Sequence, residues 1–290
     1  MRVRLIFPGA LGDFLLLAPA AATLAAAGHD VELSVQRALG DVARRLFTLG
    51  PPADGTAMST LFTTALDPAV RSWLQGADRV HAWLGHAGSA ALARHAGGLA
   101  IGELRSHTVV RGEGSRHASV DYAVALGVDP RLASVRLPID PADAEGWWRA
   151  PCPRRLIVHP GAGSADKRWS QTGFRSVANC WRAAGGEVIV LLGPAEGDLV
   201  EFWLGAEHRS ARDLELCAAA RLIASSPRYL GNDSGISHLS GALGRRGVVL
   251  YGPTRAERWR PLGGRLVAVD MSSDSESRLA NIIAACLGDS

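Results

Sequence analysis

The chain writes one structural plan twice. R-L-I-F-P-G-A at 4 to 10 returns as R-L-I-V-H-P-G-A at 155 to 162, each time a short apolar, β-branched run broken by Pro and Gly into a tight turn. Each turn opens into a helical pattern, the first from about Phe14 to Ala27 and closed by Gly28. In the second, Phe174, Val177, Ala178 and Trp181 take the i, i+3, i+4, i+7 positions of a helix lying on a sheet. Two copies about 150 residues apart are too distant for a solenoid repeat and fit two similar α/β domains facing each other. The domains are expected at 1–150 and 151–290, because Pro138, Pro141, Pro151 and Pro153 cluster between Leu137 and Arg154.

Within the first half the pattern predicts strands at Val31–Val35, Arg79–Leu84 and Thr108–Arg111. It predicts helices at Ala38–Leu49, Asp67–Leu74, Ala87–His95 and Val120–Leu126. In the second half strands are expected at Leu156–His159, Val188–Leu192, Arg228–Gly231, Val248–Tyr251 and Arg265–Val269. The helices between them start near Gln171, Glu201, Leu214, Ile236 and Ser275. Strand and helix alternate as in a parallel sheet wound by right-handed crossovers, whose functional loops gather at the carboxyl ends of the strands.

A formal net charge of +3, with no concentrated basic stripe, argues against a nucleic-acid partner. Cys152, Cys180, Cys217 and Cys286 are too widely spaced for a zinc or C-x-x-C site, so free thiols are expected. The N-terminus imitates a secretory signal, but Pro8, Gly9, Gly12 and Asp13 interrupt the apolar region such a signal needs. No uninterrupted apolar run is long enough to span a membrane.

Of the 31 basic residues 30 are arginine, and Lys167 is the only lysine. A composition biased against lysine would leave a chance surface survivor. Yet Lys167 follows the Pro160-Gly161-Ala162-Gly163-Ser164 turn, where a compact ammonium can reach a point between oxygens that a planar guanidinium cannot. A second strand-to-helix turn, Asn232-Asp233-Ser234-Gly235, offers another set of backbone N–H groups. Asp233 and Ser234 could simply cap the helix there, and His238, on the same helix face as Ser234, could be a satisfied half-buried histidine. Two such turns in one sheet, one carrying the lone lysine, fit a diphosphate better than two independent caps. No dinucleotide fingerprint, P-loop, nucleophile elbow or metal-ligand spacing is present. Asp13 closes the G-x-x-G-D turn of the first half, where an acid either stabilises a helix start or takes a proton from an incoming hydroxyl.

G-D-F-L-L-L-A-P-A at 12 to 20, H-P-G-A-G-S with K-R-W at 159 to 169, L-G-P-A-E at 192 to 196, G-N-D-S-G-I-S-H-L at 231 to 239 and G-P-T with a later P-L-G at 252 to 263 carry a family resemblance. Together they resemble glycosyltransferase family 9, the family of the lipopolysaccharide heptosyltransferases. The resemblance implies the GT-B fold, with an acceptor-binding N-terminal domain, an ADP-sugar-binding C-terminal domain, and metal-independent inverting transfer. It places Asp13 as the base and Lys167 near the donor phosphates. Gly161, Gly163 and Ser164 fall in the phosphate loop, and Ser234 and Gly235 in the second phosphate turn. Asp233, His238 and His159 face the donor, and Gly193 and Glu196 lie at the nucleotide ribose. It implies no cofactor beyond the ADP-sugar substrate, a glycan or glycolipid acceptor, and a cytoplasmic setting with peripheral contact at the inner membrane face. Gly12, Arg105 and Arg111 are the expected acceptor contacts, within a basic stretch that includes Arg94, Arg116, His95, His107 and His117. A non-transferring nucleotide-sugar enzyme such as an epimerase, or an idle sugar-nucleotide-binding protein, would use the same donor loops.

Overall fold

The computed structural model describes all residues except 111, 113, 132–133, 144–145, 149–151, 205–207, 273–274 and 289–290. The chain divides into two compact units, Met1–Ala133 and Ser134–Ser290. The division falls upstream of the proline cluster, so Pro138 and Pro141 belong with the second unit. There the backbone N–H of Leu137 bonds to the carbonyl of Ala242 at 3.0 Å.

The first unit holds a five-stranded sheet: β1 (Arg2–Phe7), β2 (Asp30–Val35), β3 (Thr48–Leu49), β4 (Arg79–Ala82) and β5 (Glu103–Ser106). Their order is β3-β2-β1-β4-β5, and every pairing is parallel. Helix Leu11–Ala26 leaves β1 through the Pro8-Gly9 turn and buries Phe14, Leu15, Leu16 and Leu17. Two expectations fail here. The segment 38–49 is not one helix: it makes a 3₁₀ turn, a single helical turn at Gly40–Ala43, and then β3. The strand expected at Thr108–Arg111 lies earlier, as β5; Arg111 is outside the described residues. β5 reads E-L-R-S because it is an edge with one neighbour. It is held by charge as well as by its ladder, Arg79 Nε lying 2.7 Å from Glu103 Oε2 across the pair.

The second unit holds a six-stranded parallel sheet: β6 (Arg155–His159), β7 (Glu187–Leu192), β8 (Arg209–Arg212), β9 (Arg228–Asn232), β10 (Arg246–Tyr251) and β11 (Arg265–Asp270). The order is β11-β10-β9-β6-β7-β8. The chain moves from β6 outward to β7 and β8, then returns to lay β9 on the other side of β6. That reversal creates a crevice at the carboxyl ends of β6 and β9. β8, R-S-A-R, has no apolar run and is a strand the sequence pattern did not disclose. The central strands are buried on both faces, with Leu156, Val158, Val190, Leu230, Val248 and Leu250 packed against Phe174, Val177 and Ile283 of the helices Gln171–Ala183 and Glu276–Gly288. All four cysteines are free. Among the described residues no helix is long and apolar enough to cross a membrane.

Candidate active site

The reversal between β6 and β9 sets the first part of the site. Asn232, the last residue of β9, is fully buried, and its side chain clamps the loop leaving β6. Its amide donates to the carbonyls of Pro160 (2.9 Å) and Gly161 (3.2 Å) and its oxygen accepts from the backbone N–H of Trp169 (3.0 Å). A backbone loop held at both ends by one side chain keeps its N–H groups oriented before any ligand arrives. Between those anchors Gly163 and Ser164 are exposed, and a Cβ at Gly163 would meet nothing within 4 Å. The open side of the turn is therefore free to take a bulky anion.

Lys167 closes this turn. Its Nζ lies 2.9 Å from Asp233 Oδ2, and the Thr254 hydroxyl donates to the same oxygen at 2.7 Å. Three strands thus contribute to one cluster: Lys167 after β6, Asp233 after β9, Thr254 after β10. Asp233 is buried, while the Lys167 side chain keeps 29% of its exposure. The ammonium is anchored from behind by a carboxylate and open in front, an arrangement suited to meeting further negative charge.

Ser234 caps the helix Gly235–Ala242, accepting from the backbone N–H of Ser237 at 3.4 Å, and Gly235 begins that helix. Asp233 is the counter-ion of Lys167, so only Ser234 of the two acts as the cap. His238 is buried one turn into the helix. His159 is also buried, and its Nδ1–H donates to the carbonyl of Leu191 at 3.0 Å, tying the ends of β6 and β7 together. Burial holds its pKa below the ordinary histidine value, so it stays neutral.

Glu196 is turned into its own loop. It is buried, accepts from the backbone N–H of Gly193 at 2.8 Å, and lies so close to Gly161 that a Cβ there would strike its carboxylate. Gly161 is needed for that close approach. Arg168 joins the same pair of loops, with Nη1 2.6 Å from Asp198 and Nη2 3.2 Å from the Ala195 carbonyl. The donor-side residues expected from the sequence are brought to one edge of this sheet. Asn232, Thr254 and Arg168 are not among the expected site residues, although the G-N-D-S-G, G-P-T and K-R-W motifs contain them.

In the first unit Asp13 is the third residue of the helix that follows β1, and the N-cap position is Ala10, which has no side chain to cap with. The Tyr122 hydroxyl donates to Asp13 Oδ1 at 3.1 Å. Tyr122 packs edge-on to Phe7 and Trp83, with ring centroids 5.7 and 6.2 Å apart. Gly9 allows the Phe7 ring and Asp13 to close around the turn, since a Cβ there would enter the ring. Gly12 sits in the same first helical turn, partly buried.

The basic stretch is largely occupied. Arg105 Nε is 2.6 Å from Glu103, which also holds Arg79. Arg116 pairs with Asp121 at 2.5 Å, and His117 accepts from the Ser119 backbone N–H at the start of helix Ala118–Leu126. His107 lies 2.8 Å from His81 and stacks on Trp83. These contacts build the edge of the sheet, and the charges of Arg79, Arg105 and Arg116 are shared with acids. Among the described residues no group of three or more His, Cys, Asp or Glu side chains is arranged to hold a metal ion.

Residues 138–281 match the model of glycosyltransferase family 9 (heptosyltransferase). No curated protein matches the chain by sequence. Among solved structures, the fold is shared with a glycosyl transferase family 9 protein from Veillonella parvula, with TM-score 0.79 and 17% identity over 100% of this chain and 97% of that one. It is shared with the E. coli heptosyltransferase WaaC with ADP at TM-score 0.74 and 19% identity, covering 99% of this chain and 100% of that one. E. coli ADP-heptose lps heptosyltransferase II gives TM-score 0.75 and 17% identity, covering 99% and 98%. The two parallel sheets are thus those of the GT-B fold, and the loops around Lys167, Asp233 and Glu196 all lie inside residues 138–281: that stretch carries the match to glycosyltransferase family 9, and the chain is a heptosyltransferase-like glycosyltransferase.

Proposed function

We propose that this protein transfers a heptose from an ADP-heptose donor to a hydroxyl of a lipopolysaccharide-core-like glycan, with inversion and without a metal ion. The observation that carries the donor half is the cluster of Lys167, Asp233 and Thr254 behind an open glycine turn at the ends of β6, β9 and β10. The names of two structures sharing the fold include ADP and ADP-heptose, which supports an adenine nucleotide at these loops.

In the reaction an acceptor oxygen attacks the anomeric carbon while the bond to the diphosphate breaks, so negative charge grows on the leaving phosphate. Lys167 and the N–H groups around Ser164 and Gly235 supply fixed positive charge and dipoles for it. The attacking hydroxyl must lose its proton, and Asp13 is the base. Its carboxylate is oriented by Tyr122 and partly open to solvent. The resemblance to lipopolysaccharide enzymes supports the acceptor class, with peripheral contact at the inner face of the membrane; Gly12 and Arg105 stand on the acceptor-side unit, and Arg111 joins them as a proposal from sequence.

The test combines donor screening with one variant. Candidate nucleotide sugars are compared by the shift of the melting curve, then by product formation with a truncated core oligosaccharide. ADP-heptose should give the largest shift and an acceptor-dependent product. Asp13→Asn should cut kcat by about 10²–10⁴ and leave the ADP-heptose Kd nearly intact. Conversion of the donor without acceptor would favour an epimerase-like enzyme, and near-normal kcat in Asp13→Asn would remove the base.

A further inference from the structure

The opposite edge of the second sheet carries a feature that the transfer reaction does not use. Three adjacent strands, β9, β10 and β11, each begin with arginine: Arg228, Arg246 and Arg265. The ladder places Arg246 directly beside both of the others, so three guanidinium-bearing side chains rise from one face of the sheet at its amino-terminal edge. Like charges in register oppose sheet formation. Here they line a cavity of about 190 Å³ together with Gly247, Val267 and Cys286, and among the described residues no carboxylate lines it.

Among the described residues the three arginines differ in their partners. Helix Glu276–Gly288 runs back across the sheet and ends above the arginines, and Arg228 Nε donates to the Leu287 carbonyl at 2.9 Å. A guanidinium on the last turn of a helix is favourable there. Arg246 and Arg265 have no carboxylate within ion-pair distance among the described residues. Arg246 also presses on Arg228, whose pKa is held below the ordinary arginine value by burial first and by Arg246 second. At Gly247, with φ +154°, a Cβ would run into the backbone of Tyr229, so glycine is needed for the close approach of β10 to β9 beside the cavity.

We propose that this cavity is a second anion site, built for a phosphate-type oxyanion and separated from the donor loops by the length of the strands. Two or more forked guanidinium groups around a cavity of this size suit a phosphate monoester or diester, whose oxygens accept paired N–H bonds. The phosphate can belong to a small soluble molecule or to the headgroup of an anionic lipid.

Cys286 provides the readout, because its thiol lines the cavity. Alkylation of each cysteine by iodoacetamide is followed by peptide mass spectrometry on the full chain, with and without inorganic phosphate. The Lys167→Ala background is used as well, so that phosphate at the donor loops is separated from phosphate here. Phosphate should slow alkylation of Cys286 several-fold, both by covering the thiol and by disfavouring its thiolate, while the exposed Cys180 serves as the unaffected control. Arg246→Gln and, separately, the exposed Arg265→Gln should each weaken that protection by about tenfold in phosphate concentration, with melting curves to show that the fold survives.

The source is separated by a second arm. Sedimentation with vesicles of phosphatidylcholine alone is compared with vesicles containing phosphatidylglycerol. Binding only to the anionic vesicles, lost in Arg265→Gln, identifies a lipid headgroup; protection by phosphate without vesicle binding identifies a soluble ligand. Cys286 alkylation unchanged by phosphate, together with no binding to the anionic vesicles, overturns the proposal.

Discussion

Replacing Lys167 by alanine separates an anion-holding lysine from an ornamental one. The ammonium is 2.9 Å from Asp233, whose side chain is 8% exposed against 29% for the lysine. Removing one partner of a fully buried pair costs about 3–5 kcal/mol, and the partial exposure of Lys167 together with the remaining Thr254 hydroxyl lowers that to about 2 kcal/mol of fold stability. Lys167→Ala should therefore unfold at lower urea, and adding Asp233→Asn should restore part of the loss by removing the stranded charge. Nucleotide binding follows a different rule. On the proposed role the same substitution removes one charge-assisted contact to the diphosphate, worth about 2 kcal/mol or roughly thirtyfold in ADP Kd. Asp233→Asn alone releases the lysine from its competitor, so ADP binding should hold or tighten while turnover falls if the carboxylate aims the ammonium. Isothermal titration with ADP on the four proteins of this cycle measures the binding effect, and urea unfolding of the same four measures the effect on stability. An ADP Kd in Lys167→Ala within a factor of about three of the parent would refute the reasoning, and Lys167 would then be a structural partner of Asp233.

Tyr122→Phe removes the hydroxyl that orients Asp13 and keeps the ring packed on Phe7 and Trp83. It should lower kcat by up to about tenfold and move the acidic limb of the kcat profile upward, with ADP Kd unchanged; an unmoved profile would mean the hydrogen bond serves folding alone. Acid should weaken the fold before carboxylates begin to titrate. Burial, then His107, Arg105 and Arg79, push the pKa of His81 down to about 3, and burial lowers that of His159. Between those values and the unfolded value near 6.5 the unfolded chain binds more protons, so stability is full above about pH 6.5 and declines below it. Each such histidine contributes at most about 1.4 kcal/mol per pH unit. Urea midpoints at pH 7.5 and 5.5 should show the decline, His81→Phe should reduce it, and a flat response in the parent would contradict the assignment of buried neutral imidazoles.

The strands that sequence reasoning found and missed divide by position in the sheet. β1, β6, β7, β9 and β10 are covered on both faces and must be apolar, so their runs stand out. β3, β5 and β8 are edge strands reading T-L, E-L-R-S and R-S-A-R; their stability comes from one neighbour and from pairs such as Arg79 with Glu103, which a hydrophobicity pattern cannot register. β11 is also an edge and was legible, because L-V-A-V still has to meet the helix that ends the chain.

The site divides in the same way. Its glycine turns and lone lysine could be read locally, because a turn that approaches another backbone or an anion demands particular residues at particular places. What could not be read is which loops share a cluster, since that depends on the strand order. Asp233 meets Lys167 only because β9 returns to the far side of β6, and Thr254 joins them only because β10 lies next to β9. Asn232 illustrates the point most sharply. As a sequence letter it is one of several turn formers before a helix, yet it reaches across to Pro160, Gly161 and Trp169 and so fixes the glycine turn of a segment more than sixty residues away. Tyr122 stands in the same relation to Asp13, 109 residues apart in sequence. The residues that touch a ligand are constrained by its chemistry and leave a local signature; those that hold them in place are constrained by topology, and only the folded chain reveals them.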